Sequence, residues 1–368
     1  MSFTLTEEQS LLRDQVRAVC DEHAQPEILR ELITSNVGWR EELWRVMGEL
    51  GLLGAAIPES YGGVGLGALE LALINQELGR AVAPVPFFSS TCMAAEAIKH
   101  AATPAQQAQW LPDLASGTRI ATFAWAEGPG SPSTRPLSTT VAGARISGAK
   151  MPVPDAGVAD FCVVLADRKG EDTLAVVELD QAQVGRTTLD GFDELRHHAE
   201  IRFDDARCEV LEGASGSAVV AQLFDTFATL QAFEQVGGAE GALYMARDYT
   251  LERHIFGRQL GSYQAVKHKL ADILAALELA SANALHAAAS PGNTIAAATA
   301  RIGSTEVYET AARENLQLHG GIGFTWEANC HFHYRRARLL ALSLGSIEAW
   351  TDVLIDALAD EADPSRAA

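Results

Sequence analysis

The spacing of apolar residues changes twice along the chain, and this most limits what it can fold into. Up to about residue 118 the spacing is helical. Thr6-Glu7-Glu8 opens a segment with apolar Leu11, Leu12, Val16, Val19 and Cys20, a stripe of period 3.6 with acidic residues at its favourable N-terminal end. Leu43, Val46, Met47, Leu50 and Leu53 repeat the stripe, Pro58 to Gly63 is a loop signal, and residues 68–74 are apolar almost all round, as in a buried helix. Between about 119 and 212 the apolar runs are short: Ile120 to Trp125, Phe161 to Leu165, Leu174 to Leu179 and Ala199 to Phe203. Ser138 to Ile146 reads as a hairpin around Gly143, and Arg168-Lys169-Gly170-Glu171 as a turn. From 213 to 358 helical spacing returns in alanine-rich stretches, Ile273 to Ala289 and Ile295 to Ala312, broken by Pro291-Gly292-Asn293. The pattern predicts an α+β chain in three parts: a helical N-terminal domain (1–118), a β domain (119–212), a helical C-terminal domain (213–358), and a frayed tail (359–368).

Charge narrows the function. The formal net charge is −20, which repels nucleic acids and anionic membranes, so neither is expected as a partner. Polyanionic ligands are repelled at long range as well, and a site for one needs local cations. Five scattered cysteines with no CxxC pair fit a reducing cytoplasm rather than a disulfide framework or a zinc site. The N-terminus has no signal pattern, and no membrane span is expected. His331 and His333 flank Phe332 and would diverge on a helix, so no metal site is expected there.

Three motifs carry candidate chemistry. In Leu251-Glu252-Arg253-His254-Ile255-Phe256-Gly257, Gly257 reads as a helix C-cap with Arg253 in the last turn. Arg253 equally offers a planar five-donor fork to a phosphate, and Phe256 a flat face to a cofactor ring. Gln264, opening the helix after Gly261-Ser262-Tyr263, is either a surface amide or a donor to a sugar or phosphate oxygen. Gln317-Leu318-His319-Gly320-Gly321-Ile322-Gly323-Phe324 is either a glycine-terminated helix or a cradle of exposed N–H groups for an anionic cofactor. Neither a GxGxxG after a strand nor a GxxxxGK[ST] or GxSxG signature is present.

These motifs, in this order and inside a helix–strand–helix chain, resemble the acyl-CoA dehydrogenase family over essentially the whole sequence. Ile57-Pro58-Glu59-Ser60-Tyr61-Gly62-Gly63-Val64-Gly65-Leu66, Thr6-Glu7-Glu8-Gln9 and Ile201-Arg202-Phe203 are similar to family segments too. The resemblance implies a central β-barrel-like domain, a C-terminal four-helix bundle, tetramers built as pairs of dimers, and FAD lying between subunits. Arg253, Phe256 and Gln264 would then reach a neighbour's FAD, Gln317, Gly320 and Gly321 would hold its adenosine-diphosphate half, and Ser346 would be a further cofactor contact. The implied reaction converts an acyl-CoA to a trans-2-enoyl-CoA. A glutamate in a dry pocket takes the α proton, and an electron-transferring flavoprotein is the acceptor.

The sequence departs from that pattern where the chemistry is done. The usual glutamate precedes a Gly-Ser, and here Leu344 precedes Gly345-Ser346; the alternative base position falls at Phe227. Leu344 retains a backbone N–H that a thioester oxygen can accept. Ala126-Glu127-Gly128-Pro129-Gly130-Ser131-Pro132 is a shortened form of a loop near the flavin, and Met151-Pro152-Val153-Pro154 replaces a Trp-Ile-Thr-like segment, removing backbone donors. A non-catalytic subunit that lends cofactor contacts to a sister chain follows, similar to bacterial heteromers that shorten steroid side chains attached to CoA. The rivals are a homomeric dehydrogenase with a displaced base (Glu234, Glu348 or Asp225), an oxidase of the same fold, and a non-enzymatic CoA-ester scaffold.

Overall fold

The structure, a computed structural model, describes residues 5–128 and 136–362. Its helices are α1 (Glu7–His23), α2 (Pro26–Thr34), α3 (Glu41–Glu49), α4 (Ala68–Arg80), α5 (Glu96–Ala101), α6 (Pro104–Ser116), α7 (Ser217–Glu252), α8 (Gln264–Ala288), α9 (Thr294–His319), α10 (Cys330–Leu342) and α11 (Ile347–Ala362). Strands β1 (Ala121–Ala124), β2 (Thr140–Ala142), β3 (Arg145–Pro154), β4 (Phe161–Arg168), β5 (Glu171–Glu178), β6 (Val184–Leu189), β7 (His198–Arg207) and β8 (Glu209–Val210) lie between the two helical blocks, and a hairpin of β9 (His254–Ile255) and β10 (Arg258–Gln259) follows α7. The chain forms two compact units: Met1–Pro26 with Ala72–Ala83 and Ala228–Ala368, and Glu27–Leu71 with Pro84–Phe227.

In the second unit the strands form a sheet of order β6-β7-β3-β2-β4-β5-β8, with β1 pairing parallel to β4. The path runs from β6 to β8 without closing among the described residues, so the expected barrel-like domain is an open sheet. The Gly143 hairpin joins β2 to β3, with Gly143 at φ 62°, and Lys169 and Gly170, both at positive φ, join β4 to β5. β6 and β8 escape the sequence pattern. β6 reads Val-Gly-Arg-Thr-Thr-Leu, is largely exposed at the sheet edge, and has no apolar run to betray it. Gly63 has a local reason: a Cβ there would sit 2.1 Å from the Ile57 carbonyl oxygen.

The first unit is built on a close crossing of α4 and α7. A Cβ on Gly237 would lie 1.8 Å from the Gln76 carbonyl oxygen, one on Gly79 2.0 Å from that of Glu234, and one on Gly241 2.5 Å from that of Arg80. Main chain therefore meets main chain, and only glycine fits. Beside the crossing, fully buried Glu77 takes bidentate bonds from Arg17 at 2.9 and 2.8 Å and one from Arg80 at 2.8 Å. Thr6 caps α1 in a reciprocal box with Gln9, as its Thr-Glu-Glu-Gln start implies. Of the α1 stripe only Val16 and Cys20 are buried; Leu11 is 68% exposed.

Among the described residues the C-terminal block is helical, as expected, and consists of α7 to α11 with the short β9–β10 hairpin after α7. Pro291-Gly292-Asn293 does separate α8 from α9, and the Asn293 Oδ1 caps α9 by accepting from Ala296 N at 3.0 Å. α8 is the one helix among the described residues long and apolar enough to cross a membrane, by length and composition alone. Residues 359–362, expected to fray, continue α11.

Two outcomes follow from this packing. Gly237→Ala is expected to lower stability by about 3 kcal/mol in chemical denaturation, because the neighbouring carbonyl belongs to a helix and cannot swing aside. Burial, with Arg336 and Arg80 nearby, pushes the His333 imidazole down to about 3. The unfolded chain then binds a proton near pH 6.5 that the folded chain refuses, so this contribution is full above pH 6.5 and is lost as the pH falls toward 3. Replacing His333 with Gln is expected to flatten that part of the stability–pH curve.

Candidate functional site

The first unit gathers the three motifs. α7 ends at Glu252, and Arg253, just past it, is exposed. Gly257 is not a helix C-cap. With Phe256 (φ 47°) and Gly257 (φ 79°) both left-handed, the pair forms the tight turn of the β9–β10 hairpin, the geometry that suits a two-residue hairpin loop. That turn holds Phe256 95% exposed, an unusual place for an aromatic ring with no partner. Leu260 N returns to the Arg253 carbonyl at 2.7 Å, and Tyr263 donates its hydroxyl to the Ile255 carbonyl at 3.1 Å. The next residue, Gln264, is exposed at the first position of α8. The first two motifs are thus one continuous surface.

The glycine motif sits at the C-terminal end of α9. Gln317 is exposed, His319 is the last helical residue, and Gly320 takes φ 62°, ψ −141°, a conformation reserved for glycine. Gly321 differs. Its φ is not left-handed, and a Cβ there would meet nothing within 4 Å. Neither backbone conformation nor packing inside this chain calls for glycine at 321. The ring of Tyr249, in the last turn of α7, lies on His319 with centroids 4.0 Å apart, which joins the glycine turn to the Arg253 segment. Sequence reading missed Tyr249, Tyr263 and His319 because their roles are contacts between segments distant in the chain.

Ser346 is the N-cap of α11: its hydroxyl accepts from Ala349 N at 3.3 Å. The same hydroxyl holds the Glu348 carboxyl below the usual range, and Glu348 is exposed. Leu344 is buried in the left-handed region at φ 58°, an unfavourable conformation for a branched side chain. It is held from two sides. Trp350 Nε1 donates to its carbonyl at 2.9 Å. Beneath it the fully buried Arg301 donates to the carbonyls of Leu340 at 2.8 Å, Ser343 at 2.7 Å and Gly345 at 3.4 Å, and to Gln235 at 3.1 Å and Thr305. Burial pulls the Arg301 guanidinium down to about 9.

The three carboxylates considered as displaced bases differ in setting, Glu348 being the exposed one. Glu234 is buried and paired with equally buried Arg336 at 3.4 Å. In the second unit, Asp225 is buried, and Phe227 packs edge-on against Phe123 at 5.1 Å and Phe224 at 5.8 Å. No basic group stands at either usual base position.

Also in the second unit are the segments that differ from a flavin-ring site. Met151 N donates to Ala126 O at 2.7 Å, and Gly128 N to Met151 O at 2.8 Å, so these main-chain donors are spent on each other's strands. Pro152 and Pro154 have no N–H to offer. Glu127 is fixed by buried Lys150 at 2.8 Å and by Ser138 and Thr139. Burial alone would raise its carboxyl, but Lys150 and Ser138 outweigh that and hold it down to about 2. Residues 129–132 of this loop lie outside the described residues. Of the two half-sites a flavin cofactor needs, the exposed Arg253–Gln264 and Gln317–Gly321 surface fits, and the described ring-facing segment does not.

Arg301→Leu is expected to cost at least about 3 kcal/mol in denaturation, since each buried acceptor it orphans costs roughly 1–3 kcal/mol. Hydrogen exchange across 343–346 should accelerate in the same variant.

Comparison with known proteins identifies the family. The family description "Acyl-CoA dehydrogenase, N-terminal domain" matches residues 6–118, and "Acyl-CoA dehydrogenase, C-terminal domain" matches residues 214–359. The acyl-CoA dehydrogenase IpdE2 of Mycobacterium tuberculosis is 34% identical over 345 residues, covering 91% of this chain and 92% of that protein. Among solved structures, a steroid acyl-CoA dehydrogenase variant named Tcur3481-Tcur3483 superposes with a TM-score of 0.90 at 31% identity, covering 98% of this chain and 99% of that one. The ChsE4-ChsE5 complex from Mycobacterium tuberculosis gives 0.91 at 28% identity, with 98% and 99% covered.

Proposed function

Because the chain belongs to the acyl-CoA dehydrogenase family, whose members bind FAD, we propose that it is the cofactor-clamping subunit of a heteromeric dehydrogenase whose catalytic base lies on a sister chain. Gly321 carries this reading: its open side has no explanation inside the chain, and the close approach of a ligand from outside supplies one. Arg253 would present its fork to the diphosphate, the N–H groups of Gly320 and Gly321 with the Gln317 amide would hold the adenosine-diphosphate half, and Phe256 and Gln264 would lie against the rest of a neighbour's FAD. Ser346, whose hydroxyl accepts from Ala349 N and donates to Glu348, has one acceptor lone pair left for the same cofactor.

Bound FAD would accept the hydride from the β carbon of the acyl chain. This chain's own part in the α-proton step is limited by its residues. Leu344 offers only a main-chain N–H, Phe227 offers none of the required basicity, and Glu234 is neutralised by Arg336. In this reading the base is supplied in trans, by the sister chain. The steroid enzyme and the two-component complex among the similar structures support a bulky, steroid-like acyl-CoA and a two-subunit assembly. An electron-transferring flavoprotein and a cytoplasmic setting complete the reading.

Expressed alone, the chain should hold substoichiometric flavin and turn over no acyl-CoA. Co-expressed with a neighbouring dehydrogenase-like gene it should co-purify as a yellow, active hetero-oligomer. A stoichiometric flavin spectrum with turnover from the single chain overturns the proposal. Gly321→Ala should leave the melting temperature within about 2 °C, an ordinary surface effect, while the assembled enzyme loses flavin.

A further inference from the structure

The cofactor-facing surface is made of three segments, and their relative placement is not set by the main chain alone. The hairpin and the start of α8 are tied to the end of α7 by backbone bonds: Leu260 N to Arg253 O at 2.7 Å, and the Gln259 amide to Leu251 O at 2.7 Å. The glycine turn belongs to a different helix, with His319 70 residues after Tyr249. It meets the end of α7 through side chains. The Tyr249 ring lies nearly parallel to His319, 23° between planes at 4.0 Å, and its hydroxyl donates to the His319 carbonyl at 3.4 Å. His319 is itself held, its Nδ1 bonded to Asn315 O at 2.8 Å, so the ring is a fixed platform. Gly320, immediately after it, carries the conformation that turns the chain.

We infer that Tyr249 is a positioning residue, whose stack on His319 sets the separation between the Arg253 guanidinium and the N–H groups of Gly320 and Gly321, so that both engage one dinucleotide. The inference rests on the cofactor-clamp reading. The stack has a property suited to the task. Two flat rings resist tilt and separation at once, whereas a single hydrogen bond fixes only a distance. Without it, Arg253 and the glycine turn would sample independent positions, and a rigid ligand bridging both would lose the advantage of preorganisation. The Tyr249 carbonyl accepts from Arg253 N at 2.9 Å, so its main chain carries the Arg253 segment while its ring lies on His319, and its effect is on geometry.

The test uses the assembled enzyme, stripped of flavin and titrated with FAD by fluorescence quenching. Tyr249→Leu should weaken FAD binding about tenfold, a loss on the scale of one aromatic pair converted to affinity. Tyr249→Phe keeps the stack and gives up only a long hydrogen bond, so it should stay within about threefold of the parent. Native mass should be the same for both. His319→Ala and His319→Phe repeat the comparison from the other ring, and they decide the matter if Tyr249→Leu fails to assemble. Parental affinity in Tyr249→Leu and His319→Ala overturns the inference, as does an equal loss in the Phe and non-aromatic variants. Arg253→Ala and Gly321→Ala separate this from the underlying reading. If both retain parental FAD affinity, the clamp itself is wrong and the role of Tyr249 falls with it. If they lose affinity while Tyr249→Leu does not, only the positioning role fails.

Discussion

The contact of α4 with α7 sets the frame for the first unit. Gly79, Gly237 and Gly241 let the two backbones touch, and no side chain could be inserted at those points without separating the helices. Each mid-helix glycine costs about 1 kcal/mol relative to alanine, so the seam is tolerated only because close approach returns dense packing. Asn75 strengthens the crossing by donating to the Leu230 carbonyl at 2.9 Å, and Arg17 and Arg80 pair with the fully buried Glu77 carboxylate beside it. α7 is 36 residues long. Fixing its middle therefore fixes what its end presents, and its end presents Tyr249 and Arg253.

A second constraint concerns what the chain kept and what it lost. The turn at 343–345 is held by a buried guanidinium below and an indole above, in a backbone conformation that a leucine adopts only under compulsion. Those contacts hold the main-chain geometry at a position whose leucine side chain cannot take a proton. Glu234, considered as a displaced base, is buried against Arg336 at 3.4 Å. The described ring-facing segment of the second unit has likewise spent its donors internally, through Met151, Gly128 and the Glu127–Lys150 pair. The exposed surface around Phe256 and Gly321 has done the opposite and left its groups open. The role proposed for this chain, a subunit that contributes a clamp and not a catalyst, is consistent with both.

The sequence by itself determined the order of helices, strands and helices, because the apolar spacing of each block is a local property that survives any tertiary arrangement. The turns at Gly143 and Lys169-Gly170, the helix start at Thr6-Glu7-Glu8 and the break at Pro291 to Asn293 were legible for the same reason. So were the three motifs and the absence of a basic side chain at 344 and 227. Polar edge strands such as β6 were not legible, since an exposed strand has no apolar signature. Tertiary structure alone decided that Gly257 closes a hairpin and caps no helix, that the sheet stays open, and that Glu234 is bound to Arg336. It also decided that Arg301 supports the Leu344 turn and that Tyr249 reaches His319. Each of these depends on which distant residues meet, and that is fixed by packing between segments whose sequence separation carries no information about their distance in space.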